Sequence, residues 1–523
     1  MAEQPDILIV GSGINALVAA ALLGKRGKRV LVLERNDRIG GCIRTEEITA
    51  PGFRHDVMAT TFVLFRVSPG YAELAADLER HGGKLADSPH PTAVLRPDGS
   101  SAVLTMDREE NVRTLEALAE GDGKAFAAGA DSVGANADLV FALLGQGLWT
   151  RQTAMLLAKQ AWKRGPRSLA AFFGEALGTA RGWLETGFTS ETSRALFAPW
   201  VLHTGLGPES AYSAEMARVI AFSLEAAGAP IVEGGADRML EAFRRLIEEQ
   251  GGGIRTGADV ERVLVEGGRA VGVRLAAGEE IRAAHVVASV TPDQLYGRLL
   301  DNPSSAAQEA TRKYRYGKGN FQLHYALDSA PKWKAPGLEK VALIHLTPGL
   351  DGVSKAANEA ERGMLPETPT ICVGQPTALD PSRAPEGKAI LWLQLPEAPR
   401  RVKGDAAGQL DVPGDGRWTD ALREAYADRV EAILDTHIEG FRGAVLGRRA
   451  YSPADLEAMN MNLVGGDPYG GFCGLDQFFL WRPFKSTVNH ATEVKNLWHI
   501  GASTHPGPGL GGGSGYLIAQ RLG

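Results

Sequence analysis

Apolar residues run unbroken from Ile7 to Val10, stop at Gly11, Ser12 and Gly13, and resume at Ala16, Leu17, Ala20 and Leu23. The first run has the length of a buried strand and the second has helical spacing. A further apolar run, Val30 to Leu33, ends in Glu34. The pattern predicts strand, tight turn, helix, strand. The uncharged stretch from 7 to 24 is as long as a bilayer-spanning helix, about 18 residues, but the Gly-Ser-Gly break divides it into two elements too short to span.

Further along, residues 70 to 225 carry mostly helical periodicity, and "DRMLEAFRRLIEEQ" predicts a helix over Arg238 to Gln250. Alternation in "VERVLV" and "RAVGVRL", with turns at Gly267-Gly268 and Gly278, predicts strands. "HVVASVTP" reads as a buried strand ending in a turn. Residues 299 to 450 mix strands such as "NFQLHYAL" and "AILWLQLP" with a glycine- and charge-rich loop and an amphipathic helix from Trp418 to Phe441. The chain closes with the strand "NLWHI", a loop holding seven glycines and two prolines between Gly501 and Gly515, and a helix from Ser514 onward. There is no internal repeat.

A chain of 523 residues accommodates two or three domains at about 100–200 residues each. Its net charge of −6 supplies no basic field for nucleic acid, which is excluded as a partner. Cys42, Cys372 and Cys473 lie far apart without metal or disulfide spacing. Each is expected to be a buried small apolar residue, and no metal site is expected. Glu3 and Asp6, in place of a basic region and apolar core, precede the first strand, so no secretory leader is expected and the protein is placed in the cytoplasm. "MLLAKQAWKRGPRSLAAFFGEALGTARGWLE" combines Lys159, Lys163, Arg164, Arg167 and Arg181 with Trp162, Phe172, Phe173 and Trp183. Such a surface can lie on an anionic bilayer, making the protein peripheral to a membrane. It fits equally a helix pair with its aromatics in the core, the reading preferred here. Nothing in the pattern sets an oligomeric state.

The strand-turn-helix-strand unit has chemistry of its own. Gly11 permits the turn, Gly13 lets backbone approach a pyrophosphate, and the helix directs its positive end at that charge. Glu34, about 20 residues beyond the turn, is placed to accept hydrogen bonds from ribose hydroxyls. Gly40 and Gly41 make a second glycine turn flanked by Arg35, Arg38 and Arg44, which suit a diphosphate. The C-terminal glycine loop opening a helix is a second anion-favouring site. A cofactor with a pyrophosphate and a ring that becomes negative on reduction would use both.

The run GSGINA…VLVLERNDRIGG, the middle GGADRML…IRTGADVERVLVEGGRAVGVRL, the segment QPTALDPSRAPEGKAILW and the end GLDQFFLWRP…GASTHPGPGLGGGSGY together resemble flavoproteins related to phytoene desaturase, within the broader flavin amine oxidase superfamily. The resemblance spans nearly the whole chain. It implies an α/β fold: a Rossmann-like FAD-binding domain assembled from residues 1–69, 226–298 and 461–523, with an inserted mixed α+β substrate domain from 70–225, its helical part, and 299–460. It places Gly11, Gly13, Ile14, Asn15 and Ala16 at the pyrophosphate, Glu34 at the adenosine ribose, and Arg35, Gly40, Gly41 and Arg44 at the phosphate and ribityl region. Val260 would meet adenine through its backbone, Gly501 and Ala502 the diphosphate, and Gly509, Leu510 and Gly511 the pyrimidine side of the ring. His55, Asp56, Thr60 and Thr61 are expected on the ring's substrate side.

One departure bears on the reaction. Amine oxidases of this superfamily hold a lysine near the flavin N5 on a strand similar to "GNFQLHYAL", where this chain has Gln322; Lys318 stands nearby. His505, in the flavin-side loop, is the candidate proton handler, or else shapes its turn. Tyr314, Tyr316, His324 and Trp392 are candidate pocket walls. The resemblance implies an FAD-dependent dehydrogenase or desaturase acting on a largely hydrophobic small molecule such as an isoprenoid or polyene. The alternatives are an amine or alcohol oxidase, a redox-neutral isomerase, and an escort or GDP-dissociation-inhibitor-like protein binding lipidated partners without catalysis.

Overall fold

The computed structural model describes residues 4–523; residues 1–3, with Glu3, lie outside the described residues. Strand Ile7–Val10 is the centre of a five-stranded parallel sheet, flanked by Val30–Leu33 on one side and His285–Ser289 on the other, with Gly253–Arg255 and Leu497–Ile500 at the edges. Register pairs Ile9 with both Val32 and Val287. Parallel strands covered on both faces need continuous apolar sequence, and Ile7–Val10 is buried throughout. Ile7, Ile9, Val32 and Val287 face helices Ile14–Lys25, Asp237–Glu249 and Gly513–Leu522. Leu8, Val10, Val286 and Ala288 face a three-stranded antiparallel sheet, Val260–Glu266, Arg269–Leu275 and Glu280–Arg282.

A second, seven-stranded mixed sheet runs in the order Val445–Tyr451, Gly319–Leu327, Ala389–Ala398, Ile371–Gly374, Leu343–Leu346, Thr92–Leu95, Ser101–Leu104. Its alternation is decisive for function. Phe321, Leu323, Leu391, Leu393, Val373 and Ile344 bury one face against helix Asp420–His437. The residues between them, Asn320, Gln322, Trp392, Gln394, Cys372 and His345, leave by the opposite face.

Two expectations need correction. The stretch 70–225 is not only helical, because "TAVL" and "SAVL" around the turn "RPDGS" form a hairpin that joins the second sheet. A Pro-Asp-Gly turn between two apolar runs carried that signal. The aromatics of 151–176 are not all core either. Helix Arg151–Arg164 buries only Thr153, helix Pro166–Ala176 buries none of its residues, and Trp162 is 89% exposed. Helices Asp237–Glu249 and Asp420–His437 lie where predicted, the second ending before Phe441. Among the described residues, no helix is long and apolar enough to cross a membrane.

Candidate functional site

The two glycine segments from opposite ends of the chain meet. Asn15, in the first turn of the first helix, accepts from Ser514 Oγ at 2.8 Å and Ser514 N at 3.2 Å, and Ser514 Oγ accepts from Gly501 N at 2.9 Å. The helices they begin pack so closely that a Cβ on Gly515 would lie 1.9 Å from the Asn15 carbonyl oxygen. Between these segments and the polar face of the second sheet opens a cavity of about 420 Å³.

Gly11 has φ +89°, and a Cβ there would sit 2.9 Å from the Ser289 carbonyl, so only glycine lets the turn pass that strand. A Cβ on Gly13, by contrast, would meet no protein atom within 4 Å. Gly13 is the N-cap of helix Ile14–Lys25, with no capping side chain and no acid in the first turn. The helix thus presents uncapped N–H groups to open space on the cavity, the requirement of a bound diphosphate.

Ser12, passed over in the sequence, couples the remaining parts. Its hydroxyl donates to Glu34 Oε2 at 2.6 Å and accepts from Gly40 N at 3.1 Å. Ser12 N and Asn36 N also donate to the Glu34 carboxylate, at 3.1 and 2.9 Å. Three of its roughly four acceptor positions are thereby used to aim the carboxylate, leaving capacity for a sugar hydroxyl. Gly41 packs against Gly13, where a Cβ would come within 3.2 Å of the Gly13 Cα. The donor set, the helix end and the open ground above Gly13 fit a dinucleotide such as FAD.

Of the remaining sequence candidates, Ile14, Asn15, Arg35, Gly40, Gly41, Thr60, Thr61, Val260, Gly501, Ala502, Gly509 and Leu510 line the cavity. Several do not. Arg44 is paired with Glu46, which it shares with Arg38, so the acid two residues on neutralises two of the three arginines assigned to a diphosphate. Ala16 is wholly buried under the sheet, and Gly511 sits beside Leu64 off the wall. The C-terminal helix is also less free for anions than expected, because the Ser514 and Gly515 amides are directed to Asn15 Oδ1. His55 and Asp56 lie beneath the wall: Asp56 forms an ion pair with Arg383 at 2.7 Å, both side chains fully buried.

His505 turns away. Its Nε2 meets the Gln146 carbonyl at 3.0 Å, its ring packs edgewise on Phe479, and burial lowers its pKa to about 4. It is not among the residues that line the cavity. Tyr314, Tyr316 and His324 are likewise off the wall; the Tyr314 hydroxyl instead holds the Gly470 carbonyl, at 2.7 Å. Trp392 is on the wall, fixed by its Nε1 donating to the Met58 carbonyl at 2.9 Å.

Gln322 is on the wall and 2% exposed, with its Oε1, like Asn320 Oδ1, unpaired among the described residues. Lys318 pairs with Glu361 at 2.5 Å, outside the cavity lining, so no lysine ammonium from this strand reaches the site. Sequence reasoning missed Arg298, which donates to the Val260 carbonyl at 2.7 Å and lines the cavity beside it. It also missed Trp200, His203 and Gln394. Their assignment depends on sheet register and helix docking, which leave no local pattern.

A model of the family described as flavin containing amine oxidoreductase matches residues 17–400. Pyridine nucleotide-disulfide oxidoreductase domain-containing protein 2 of Rattus norvegicus is 27% identical over 98% of this chain and 92% of its own. The zeta-carotene-forming phytoene desaturase of Myxococcus xanthus is 27% identical over 99% of this chain and 92% of its own. Among solved structures, a triple mutant of putrescine oxidase is 16% identical with a TM-score of 0.61, covering 99% of this chain and 98% of that one.

Proposed function

This chain belongs to the flavin containing amine oxidoreductase family and is an FAD-dependent oxidoreductase, and from that premise we propose that it dehydrogenates a largely hydrophobic small molecule, of isoprenoid or polyene type. Relatives named as phytoene desaturases support the substrate class. The observation that carries the reading is that the cavity runs from the paired glycine segments to the amide and tryptophan face of the second sheet.

In this reading residues 1–69, 226–298 and 461–523 hold the cofactor. Gly13 and the amides of the following helix take the diphosphate, Glu34 the ribose, Val260 and Arg298 the adenine end, and Gly509 and Leu510 the ring. Bound flavin supplies a hydride acceptor. The protein's part is to orient the donor carbon, and hydride abstraction from an activated C–H bond needs no side-chain base. That agrees with a wall where Gln322 and Asn320 present amides and His505 is tied elsewhere. Without the Gln322-position lysine, oxidation of amines by oxygen has less support than desaturation.

The exposed helices Arg151–Arg164 and Pro166–Ala176 support peripheral contact with an anionic membrane, from which an apolar substrate would be drawn. Trp162 and Met155 are 89% and 66% exposed beside Lys159 and Lys163. The function is tested by anaerobic mixing of the purified holoenzyme with polyenes, terpenoids and amines. Loss of the long-wavelength flavin band with the first two classes is expected. Bleaching by amines alone, with hydrogen peroxide on readmitting air, would overturn the reading in favour of an amine oxidase.

A further inference from the structure

His203, His345 and Cys372 come from three distant segments and meet in the wall beside the cavity. One ring nitrogen of each histidine and the Cys372 Sγ lie within 4.8 Å of one another, and the two imidazole Nε2 atoms face each other at 3.0 Å. Sheet register produces the arrangement. His345 and Cys372 are directly opposed on strands Leu343–Leu346 and Ile371–Gly374, so their side chains leave the same face as neighbours. Across the next strand Cys372 is opposed to Gln394, and Gln394 to Gln322, both on the cavity wall. His203, from the turn Ala198–Thr204, closes over them and lines the cavity itself.

The surroundings are apolar and the three groups have little else to do. His345 is 1% exposed; among the described residues its Nε2 meets only the other imidazole and its Nδ1 has no hydrogen-bond partner. No carbonyl or carboxylate therefore holds that ring or sets its tautomer. The Cys372 thiol is fully buried and free of any disulfide. Trp200 packs on both rings, 4.7 Å from the His203 ring and edge-on to His345 at 4.8 Å. Burying polar groups without partners is unfavourable, and one hydrogen bond between the rings offsets that only in part.

We propose that His203, His345 and Cys372 bind a divalent ion of the zinc class, leaving a fourth position open to the cavity. Two imidazoles and a thiolate are a borderline-soft set suited to this ion. Nitrogens at about 2.0–2.1 Å from a tetrahedral ion stand roughly 3.3 Å apart, a small opening from the separation found here. Binding forms two N–metal bonds and one S–metal bond and releases the thiol proton to solvent; no redox change occurs. The fourth position, on the His203 side, would take water or an oxygen of a cavity ligand. Sequence spacing hides the site, because its ligands stand at 203, 345 and 372.

The test uses the flavin-loaded full chain. After dialysis against Zn²⁺ and then metal-free buffer, mass-spectrometric metal analysis is expected to find one zinc per chain. Zinc-edge X-ray absorption is expected to show one sulfur at about 2.3 Å and nitrogen or oxygen at about 2.0–2.1 Å. Cys372→Ser and His345→Gln should each lower retained zinc at least about tenfold while keeping the flavin spectrum. The proposal is overturned if the wild-type retains no zinc, if its zinc has no sulfur neighbour, or if both variants retain zinc as the wild-type does. Should a variant not fold, the wild-type absorption spectrum decides alone.

Discussion

Asn15 and Ser514, 499 positions apart, are joined by a 2.8 Å hydrogen bond between their side chains. Asn15 Oδ1 also faces the Ser514 and Gly515 amides, and Ser514 Oγ holds Gly501 N. One buried amide thus locks the first helix to the last and fixes the spacing of the two glycine segments around the cavity.

Asn15→Ala leaves the Ser514 hydroxyl and two amides without that acceptor, and loss of a buried partner costs about 1–3 kcal/mol. Unfolding of the variant, followed by tryptophan fluorescence in urea, is expected to show a loss in this range. With Ser514→Ala in a double-mutant cycle, a coupling of about 0.5–3 kcal/mol is expected; strictly additive effects would show that the two side chains act independently.

Gly13→Val fills the ground that the protein leaves open above the first helix. The chain has room for the Cβ itself, so the variant is expected to fold and to purify colourless. Full flavin content at wild-type affinity, measured from the absorbance ratio, would remove Gly13 from the diphosphate site.

Asp56 and Arg383 form an ion pair with both side chains fully buried. Thr45 and Thr60 hydroxyls and the Ala236 amide complete the carboxylate's partners at 2.7, 3.0 and 3.0 Å. Asp56→Ala leaves the buried guanidinium with Asp380, at 3.3 Å, as its remaining charged partner, and breaking such a buried pair costs about 3–5 kcal/mol. Thermal unfolding checks this; a surface-like change under about 0.5 kcal/mol would contradict it.

Histidines 324, 499 and 505 each meet a backbone carbonyl through Nε2, and among the described residues their Nδ1 atoms have no hydrogen-bond partner. Protonation would place a charge and a partnerless N–H in the interior, so burial lowers each pKa from 6.5 to about 4. The unfolded chain binds more protons than the folded one between these values, so stability rises with pH across that window. It is complete above about 6.5 and lost as pH falls toward about 4. The melting temperature is expected to begin falling below about pH 6.5, roughly two units above ordinary carboxylate titration. A midpoint flat down to the carboxylate range would refute the assignment.

Co-sedimentation with anionic vesicles is expected for the wild-type, to weaken in high salt, and to be reduced by Trp162→Ala or by Lys159→Glu with Lys163→Glu. Equal binding to zwitterionic vesicles at all salt concentrations, unaffected by these changes, would reject the surface as the contact.

The strand-turn-helix at residues 7 to 25, the acid at Glu34, the strands of 260–289 and the closing glycine loop were legible in the chain, because each rests on local periodicity or turn chemistry. The family resemblance, spread over nearly the whole length, carried FAD with it. Whether a given side chain faces the cavity was another matter. Arg35 reaches it while Arg44 is spent on Glu46, and His505 points to Gln146 while His203, which nothing in its own segment marks, lines the wall. Sequence pattern determined the elements because backbone preference and burial act over a few residues. The tertiary structure alone decided the site, because register between strands and docking of helices far apart in the chain set which polar groups converge.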